Sequence, residues 1–283
     1  MQSLAGDFIY MVNLPRDDMQ NRHTDRMLYF SESAHTSEKY YMPYIPRHIV
    51  INASSEILEA GCGEGGNLYP FATLGCHVTG IDISINRIRQ ANQFYADMKG
   101  LHYDFINSDM FGHDFNGKKF DLIICHDVIE HISQKANLLN FFADYLKPEG
   151  VTFLAFPPWQ MPFGGHQQIC HNKLISATPF IHLTGKNVYR SILSAAGERP
   201  ECIDELLYIR QTRLTIEEFN RLLEPSGLEM ADSVSWFISP AYEQKFRLKP
   251  RQTWRWIDKL PYVRNFFTTS FFCILKKKKS PIL

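Results

Sequence analysis

The chain has 283 residues, 45% hydrophobic and 21% charged, which is typical of a globular protein with a sizeable core. Its 30 basic and 30 acidic residues balance, so the overall charge does not favour a nucleic acid as partner. The six cysteines form no Cys-x-x-Cys pair, and we find neither a signal peptide nor an apolar run approaching the ~20 residues of a membrane span. These features predict a cytoplasmic protein with free thiols.

Strand and helix signals alternate in the first half of the chain. Residues 1–36 are polar and irregular, and Ser37–Val50 predicts an aromatic helix broken by prolines, so we expect an N-terminal helical lid over residues 1–50. Strands are predicted at Glu56–Glu59, His77–Asp82, Tyr103–Asn107, Phe120–Cys125 and Gly150–Phe156, with helices at Asn67–Leu74, Ile85–Lys99 and Gln134–Leu146. This alternation indicates a mostly parallel sheet with helices on both faces, and ligands bind such sheets at the carboxyl ends of the strands.

The regular alternation stops at Pro157-Pro158. We expect residues 157–213 to form a cap inserted into a domain that spans residues 51–283. A Thr-x-x-Glu capping box at Thr215 and Glu218 predicts a further helix. The last strands are predicted at Leu228–Ile238 and Phe267–Lys276, with a β-hairpin insertion at 239–265 between them.

A glycine-rich turn follows the first strand and is the strongest local signal. Glu59 is followed by Gly61, Gly63 and Gly65, and a second acid, Asp82, ends the next strand. Glycines allow a tight turn and the close approach of a ligand to the backbone. The pattern Gly61-x-Gly63-x-x-Gly66 with an acid 21 residues after Gly61 also fits the dinucleotide fingerprint of NAD enzymes. An anion at Glu59 would repel a pyrophosphate, however, and it suits a positively charged cofactor instead.

Later segments distinguish the two interpretations. They are Asn107-Ser-Asp-Met110, Phe120-Asp-Leu-Ile-Ile-Cys-His-Asp-Val-Ile-Glu-His131, and Leu146-Lys-Pro-Glu-Gly150 before an apolar strand. With the glycine turn, this ordered series resembles the motifs of class I S-adenosylmethionine-dependent methyltransferases over roughly residues 55–160. The pair Glu130-His131 is similar to the branch that contains ubiquinone-biosynthesis O-methyltransferases.

The resemblance implies an α/β, Rossmann-like fold whose seven-stranded sheet has an antiparallel last strand, and S-adenosyl-L-methionine as the cofactor. It also implies cofactor roles for individual residues. The methionine end would be held by the turn and by backbone contacts near it, the ribose by a carboxylate, and the adenine by flanking apolar and acidic side chains. The residues implied for the methionine end are Glu59, Gly61, Cys62, Gly63, Gly65, Cys125 and His126. The carboxylate implied for the ribose is that of Asp82. The residues implied for the adenine are Ile83, Asp109 and Met110.

Transfer to an oxygen acceptor usually requires its deprotonation, so a base near the methyl group is informative. His166, which follows two glycines in the loop after the fifth strand, and His131 are the candidate catalytic residues. In the ubiquinone-type branch, the residues that match Asp127, Glu130 and His131 are implicated in binding a divalent metal. Because Asp127 is shorter than the glutamate found there, we expect no metal. His166, Cys170 and His171 lack a fourth ligand for zinc.

The acceptor is expected to be a small molecule or a lipid- or glycan-linked group, methylated at oxygen. Aromatic and basic residues alternate over 240–275 and a lysine run follows at 276–279, which allows peripheral contact with a membrane. A nucleic-acid substrate is not expected, because no Asn/Asp-Pro-Pro-Tyr/Phe motif is present. The alternatives are an NAD(P)-dependent oxidoreductase and an inactive methyltransferase-like binding protein.

Overall fold

A twisted eight-stranded sheet forms the centre of the molecule in the computed structural model, which describes residues 25–279. The strands are β1 (Glu56–Ala60), β2 (His77–Asp82), β3 (His102–Asn107), β4 (Phe120–His126), β5 (Leu146–Phe156), β6 (Leu228–Ile238), β7 (Arg251–Gln252) and β8 (Ser270–Lys277). Their order is β3-β2-β1-β4-β5-β8-β6-β7. Neighbours among β1 to β5 are parallel, whereas β8 is antiparallel to both β5 and β6. The predicted α/β, mostly parallel fold is confirmed.

The sheet differs from the prediction at two places. The two-residue strand β7 pairs with β6 at the edge and makes eight strands instead of seven, because two residues are too few to produce a periodic signal. Strand β5 begins at Leu146, four residues before the predicted start, and its pairing with β4 shifts register before Val151. The sequence Lys-Pro-Glu-Gly masks this extension, because proline and glycine are rare within strands.

Ten helices surround the sheet in the part of the chain that the structure describes. They are α1 (Arg26–Thr36), α2 (Tyr69–Thr73), α3 (Ile85–Ala96), α4 (Lys135–Tyr145), α5 (Lys173–Ala177), α6 (Lys186–Ala195), α7 (Pro200–Thr212), α8 (Ile216–Leu223), α9 (Tyr242–Phe246) and α10 (Arg255–Asp258). The count leaves out 3₁₀ turns and the winding continuation of α1, which runs through a π-helical segment (Ser37–Tyr41), Met42–Tyr44 and Ile45–Arg47. No helix within residues 25–279 has the length and apolar character needed to cross a bilayer.

Helix α1 corrects the prediction that residues 1–36 are irregular. It begins after Asp25, whose side chain accepts a hydrogen bond from the Leu28 N–H at 2.9 Å. Its buried face includes the polar residues Glu32 and Thr36. The sequence therefore lacks the regular spacing of apolar residues from which a helix is predicted. The first 24 residues of the predicted lid lie outside the described part.

Two apolar clusters, one on each face, hold the helices against the sheet. On one face, α4 and α8 place side chains such as Phe142 and Phe219 over β4 and β5. On the other, the N-terminal segment, α2 and α3 contribute Tyr41, Phe71 and Tyr95. All five side chains are fully buried. Burial on both faces explains why β4 and β5 are continuous apolar runs.

The cap predicted at 157–213 contains α5, α6 and α7, which share a small apolar core of their own. The capping box at the start of α8 is confirmed, because Thr215 and Glu218 exchange hydrogen bonds of 3.0 and 2.9 Å. The segment 239–265 was predicted as a β-hairpin insertion. It contains one short strand, β7, between the short helices α9 and α10, and so it does not form a hairpin of two strands.

Candidate functional site

The glycine turn after β1 is fixed by its surroundings and open on one side. Gly61, Gly63 and Gly65 have φ angles of 76°, 53° and 79°, which side chains rarely adopt. A Cβ on Gly61 would lie 2.5 Å from Val128, and one on Gly65 would lie 2.6 Å from Phe105. At Gly63 no atom comes nearer than 3.8 Å. The space beside Gly63, which borders Arg87, is therefore less crowded than the space beside Gly61 and Gly65, although Gly63 itself is buried.

Asp82, at the end of β2, lies beside the turn as the sequence predicts. Its two carboxylate oxygens accept hydrogen bonds from the backbone N–H of Gly63 at 3.0 Å and of Ser84 at 2.8 Å. The side chain is buried, and each oxygen keeps a lone pair for another donor. Its apolar neighbour Ile83 is 76% exposed. A carboxylate held in this way can accept from two adjacent hydroxyl groups while an apolar ring covers Ile83.

Two buried glutamates, Glu59 and Glu64, flank the turn as its acidic lining, and Glu64 Oε1 lies 3.3 Å from the guanidinium of Arg26. Glu59 Oε1 accepts a hydrogen bond of 2.7 Å from the amide of Asn67, while its Oε2 is buried with no hydrogen-bond partner within residues 25–279. Burial raises the pKa of Glu59 to about 8, and this value includes smaller contributions from the charges of Asp82 and Glu64. This lining suits a cation and opposes a pyrophosphate.

The predicted adenine contacts lie after β3. The side chain of Asp109 is exposed, and its Oδ1 accepts a hydrogen bond of 3.0 Å from the Phe111 N–H. This hydrogen bond closes a turn. No helix begins at this place, so Asp109 is not an N-cap residue. Met110 is 8% exposed and belongs to the apolar cluster that also contains Ile81. The structure therefore places the thioether in the protein core, and of the three predicted adenine contacts Asp109 and Ile83 have exposed side chains.

Cys125 and His126 end strand β4. Burial raises the pKa of the Cys125 thiol well above its usual value, so the side chain fills space in the core. The thiol of Cys62, in the glycine turn, is buried in the same way. His126 packs its ring against Tyr41, with centroids 5.7 Å apart, and burial lowers its pKa. Asp127 follows with a positive φ of 52° and an exposed carboxylate. Asp127 lies at this bend and lines the cavity that is described below.

The structure brings together three residues that the sequence separates by up to 36 positions. Nitrogen or oxygen atoms of Glu130, His131 and His166 lie within 4.8 Å of one another, and the two imidazole rings are 4.9 Å apart. Burial lowers the pKa of His166 to about 4 and also lowers that of His131, so both rings are neutral near pH 7. Burial raises the pKa of Glu130 well above its usual value, which favours the uncharged carboxyl.

The loop 162–166 positions His166. A Cβ on Gly164 would lie 2.2 Å from the carbonyl oxygen of Trp159, and one on Gly165 would lie 2.2 Å from His182. His166 itself adopts a left-handed conformation with φ 57°. The two glycines therefore let the loop pack tightly on itself and carry the imidazole over the end of the sheet.

A cavity of about 240 Å³ lies beside these residues, between the sheet, the cap and α9. Its walls combine aromatic and polar side chains, among them Tyr29, Asp127, Glu130, Phe163, His166, Gln168, Tyr242, Lys245 and Phe246. The sequence analysis missed Tyr29 as a site residue because α1 was read as irregular. It also missed Tyr242 and Phe246, whose spacing of four residues could have indicated one face of a helix.

Comparison with known proteins agrees with this geometry. A family model described as a methyltransferase domain matches residues 57–150. A ubiquinone biosynthesis O-methyltransferase of Bartonella tribocorum is 34% identical over 100 residues, which cover 35% of this chain and 40% of that protein. Phosphoethanolamine N-methyltransferase 1 of Zea mays is 34% identical over 106 residues, which cover 37% and 21%. The chain thus spans less than half the length of these curated relatives.

A solved S-adenosylmethionine-dependent methyltransferase of Clostridium acetobutylicum shares the fold with a TM-score of 0.55. It is 13% identical, and the superposition covers 88% of this chain and 92% of that one. The residues that the family model matches include the glycine turn and Asp82. Residues 57–150 therefore match a methyltransferase domain, and the chain shares the fold of a solved S-adenosylmethionine-dependent methyltransferase.

Proposed function

We propose that this protein transfers a methyl group from S-adenosylmethionine to a hydroxyl oxygen of a small-molecule or lipid- or glycan-linked acceptor. The observation that carries the proposal is the buried acidic lining of the glycine turn. Glu59 keeps one carboxylate oxygen without a partner in the described chain, and Asp82 adds negative charge, whereas Glu64 is paired with Arg26. A sulfonium and an ammonium group would be stabilised there, whereas the anionic pyrophosphate of NAD would be repelled.

Each end of the cofactor has residues of matching chemistry. Glu59 and the backbone around Gly63 would hold the methionine part, because an ammonium supplies the donor that Glu59 Oε2 lacks. Asp82 would accept from the ribose hydroxyls, and Ile83 and Asp109 would border the adenine. The thioether of Met110 supports this region from the core without an exposed surface of its own.

The acceptor would bind in the cavity beside the turn. The bound cofactor supplies an electrophilic methyl group, and the protein must orient an acceptor hydroxyl toward it and remove the hydroxyl proton. His166 would take the proton, since burial keeps its imidazole neutral at pH 7, and His131 packs against it. We expect no metal in this step, although Glu130 completes a group of three residues that can ligate one.

The lid and the cap close this cavity. Helix α1 contributes Tyr29, and the loop before α5 contributes Phe163 and His166. Lys245 of α9 lies over the ring of Tyr29, with its Nζ 5.7 Å from the centroid, so the lid and the 239–265 segment meet above the acceptor. We therefore assign the lid, the cap and this segment to acceptor binding, and residues 51–156 to cofactor binding. The cytoplasmic location stays a prediction.

Isothermal titration calorimetry tests the cofactor assignment. We expect S-adenosylhomocysteine to bind with a micromolar dissociation constant and NAD to show no binding at 1 mM, a concentration of about 100 times the expected constant. Because Glu59 has a raised pKa of about 8, binding of the ammonium should ionise it and release a proton. Affinity should therefore rise from pH 6 to pH 8 and then level off, and the heat should depend on the buffer's ionisation enthalpy. Binding of NAD in place of S-adenosylhomocysteine would support the oxidoreductase, and binding of neither would support an inactive relative.

An exposed apolar patch favours an acceptor that is presented at a lipid surface. Its members lie on and after α10 and are Trp256, Leu260, Tyr262, Val263 and Phe266, which are 41–64% exposed. Arg255 and Lys259 are exposed among them, and the ring of Phe266 lies 6.2 Å from that of Phe180 in the cap. Aromatic and basic side chains in this mixture bind anionic membrane interfaces.

Liposome sedimentation tests the patch. We expect the protein to sediment with vesicles that contain 30% phosphatidylserine at 20 mM salt, and to be released largely at 500 mM salt, since attraction to head groups is screened. The double variant Trp256→Ala/Tyr262→Ala should lose most of this binding. The control Tyr208→Ala, which removes a half-exposed aromatic from α7, should retain it. Absence of wild-type sedimentation at low salt would exclude the membrane contact and leave methyl transfer untouched.

A further inference from the structure

A second cluster of ligand-type side chains lies inside the cap, away from the methyl-transfer site. The thiols of Cys170 and Cys202 and a carboxylate oxygen of Glu198 all lie within 4.8 Å of one another, and all three residues are buried. They sit in the small apolar core of the cap with Leu193, Ile203 and other aliphatic side chains. A carboxylate and two thiols gathered in an apolar core need a structural reason, because burial of a charged group is costly.

The carboxylate of the cluster is held in a fixed orientation. Glu198 lies in the turn between α6 and α7, and its two oxygens accept hydrogen bonds from the backbone N–H groups of His171 and Asn172, at 3.1 and 2.7 Å. Cys170 directly precedes these two amides, and Cys202 lies one turn into α7. Three separate elements of the cap therefore converge on one point, with the carboxylate already oriented by the backbone.

An unpartnered hydroxyl points to a missing component at this place. Tyr189 is fully buried on α6, and its hydroxyl makes no hydrogen bond within residues 25–279. Tyr189 belongs to the same buried cluster of the cap as Cys170 and Cys202. A buried hydroxyl without a hydrogen-bond partner is destabilising. A ligated water in the cluster would give the Tyr189 hydroxyl a partner.

We propose that Cys170, Glu198 and Cys202 bind one zinc ion, with a water that hydrogen-bonds Tyr189 in the fourth position. Two thiolates and a carboxylate are ligands that zinc accepts in a tetrahedral site. With bonds of about 2.3 Å to sulfur and about 2.0 Å to oxygen, the ligand atoms of such a site lie roughly 3–4 Å apart. The observed spread of up to 4.8 Å therefore requires only small side-chain shifts.

The site would couple the cap to the acceptor loop. Cys170 ends the segment that carries His166 and Gln168, both of which line the acceptor cavity. Zinc would tie this segment to α6 and α7 and so hold His166 in place from outside the cavity. Burial raises the pKa of both thiols, so binding of the ion must displace two protons to solvent, and the affinity should rise with pH.

Metal analysis of the purified protein tests this proposal without an activity assay. The protein is prepared with a phosphine reductant and without chelator, and its zinc content is measured by plasma mass spectrometry. We expect about one zinc per chain. After dialysis against a chelator, zinc chloride should rebind in competition with a chromophoric indicator and raise the thermal midpoint by several degrees.

The variants Cys170→Ser and Cys202→Ser should each weaken zinc binding at least 100-fold and lose the zinc-dependent rise in midpoint, because each removes a thiolate ligand. Cys76→Ser is the matched control, since Cys76 is buried outside the cap and donates to the carbonyl of Asn52. Three outcomes would overturn the proposal: no zinc bound at micromolar concentration, equal binding by the cysteine variants, or a Cys170–Cys202 disulfide that persists in the reductant.

Discussion

Replacement of Asp82 by alanine should weaken the binding of S-adenosylhomocysteine by about 100-fold or more. The carboxylate accepts from the backbone N–H of Gly63 and of Ser84, and in our proposal it also accepts from the ribose hydroxyls. A hydrogen bond to a charged group contributes about 1.5–3 kcal/mol, so loss of the ribose contacts alone accounts for this factor. Loss of the hydrogen bond to the Gly63 N–H would also loosen the turn and weaken the binding further. The dissociation constant measured by calorimetry gives the result directly.

The control variant is Asp104→Asn, because Asp104 is an exposed carboxylate on neighbouring β3 that pairs with His77. It should change the affinity by less than threefold. Asp82→Asn should also weaken binding, since its amide nitrogen is a donor and can accept neither from a ribose nor from the backbone N–H that it would face. An Asp82→Ala protein that folds normally and binds within threefold of wild type would contradict the assigned role.

The strands and turns of the parallel half of the sheet could be predicted in detail, because each is specified by a short continuous stretch of sequence. Each parallel strand is a short apolar run that ends in a turn, and the predicted cofactor residues lie at the carboxyl end of their strands or directly after it. Gly63 and Asp82 are therefore adjacent in space by the topology of β1 and β2 alone. Only irregular features escaped this reasoning, such as the two-residue strand β7 and the early start of β5.

The acceptor half could not be predicted to the same degree, since its walls come from segments far apart in the chain. Tyr29 on α1 meets Lys245 on α9 across more than 200 residues. The sequence singled out His166 and His131 separately, and only the fold of loop 162–166 shows that their rings touch. Likewise, Cys170 was considered with its sequence neighbour His171, whereas its partners in space are Glu198 and Cys202.

Replacement of His166 by alanine should lower the rate of methyl transfer by about 100- to 10,000-fold, the usual contribution of a general base. S-adenosylhomocysteine should still bind within twofold of wild type, because Glu59 and Asp82 are unchanged. The assay follows tritiated methyl from the cofactor into small-molecule, lipid and glycan fractions of an extract of the source cells, so that the wild-type protein first identifies the acceptor fraction.

The pH dependence gives a second readout for His166. Because the pKa of this residue is lowered to about 4, its imidazole is neutral and able to accept a proton at every pH above about 5. The wild-type rate should therefore stay level from pH 8 to pH 5, where a histidine of ordinary pKa near 6.5 would already be protonated and inactive. The control is His171→Ala, an exposed histidine in the same loop, which should keep the wild-type rate and profile. Full turnover by the His166→Ala protein, at unchanged acceptor specificity, would assign proton removal to another residue beside the cavity, and His131 and Asp127 are the remaining candidates.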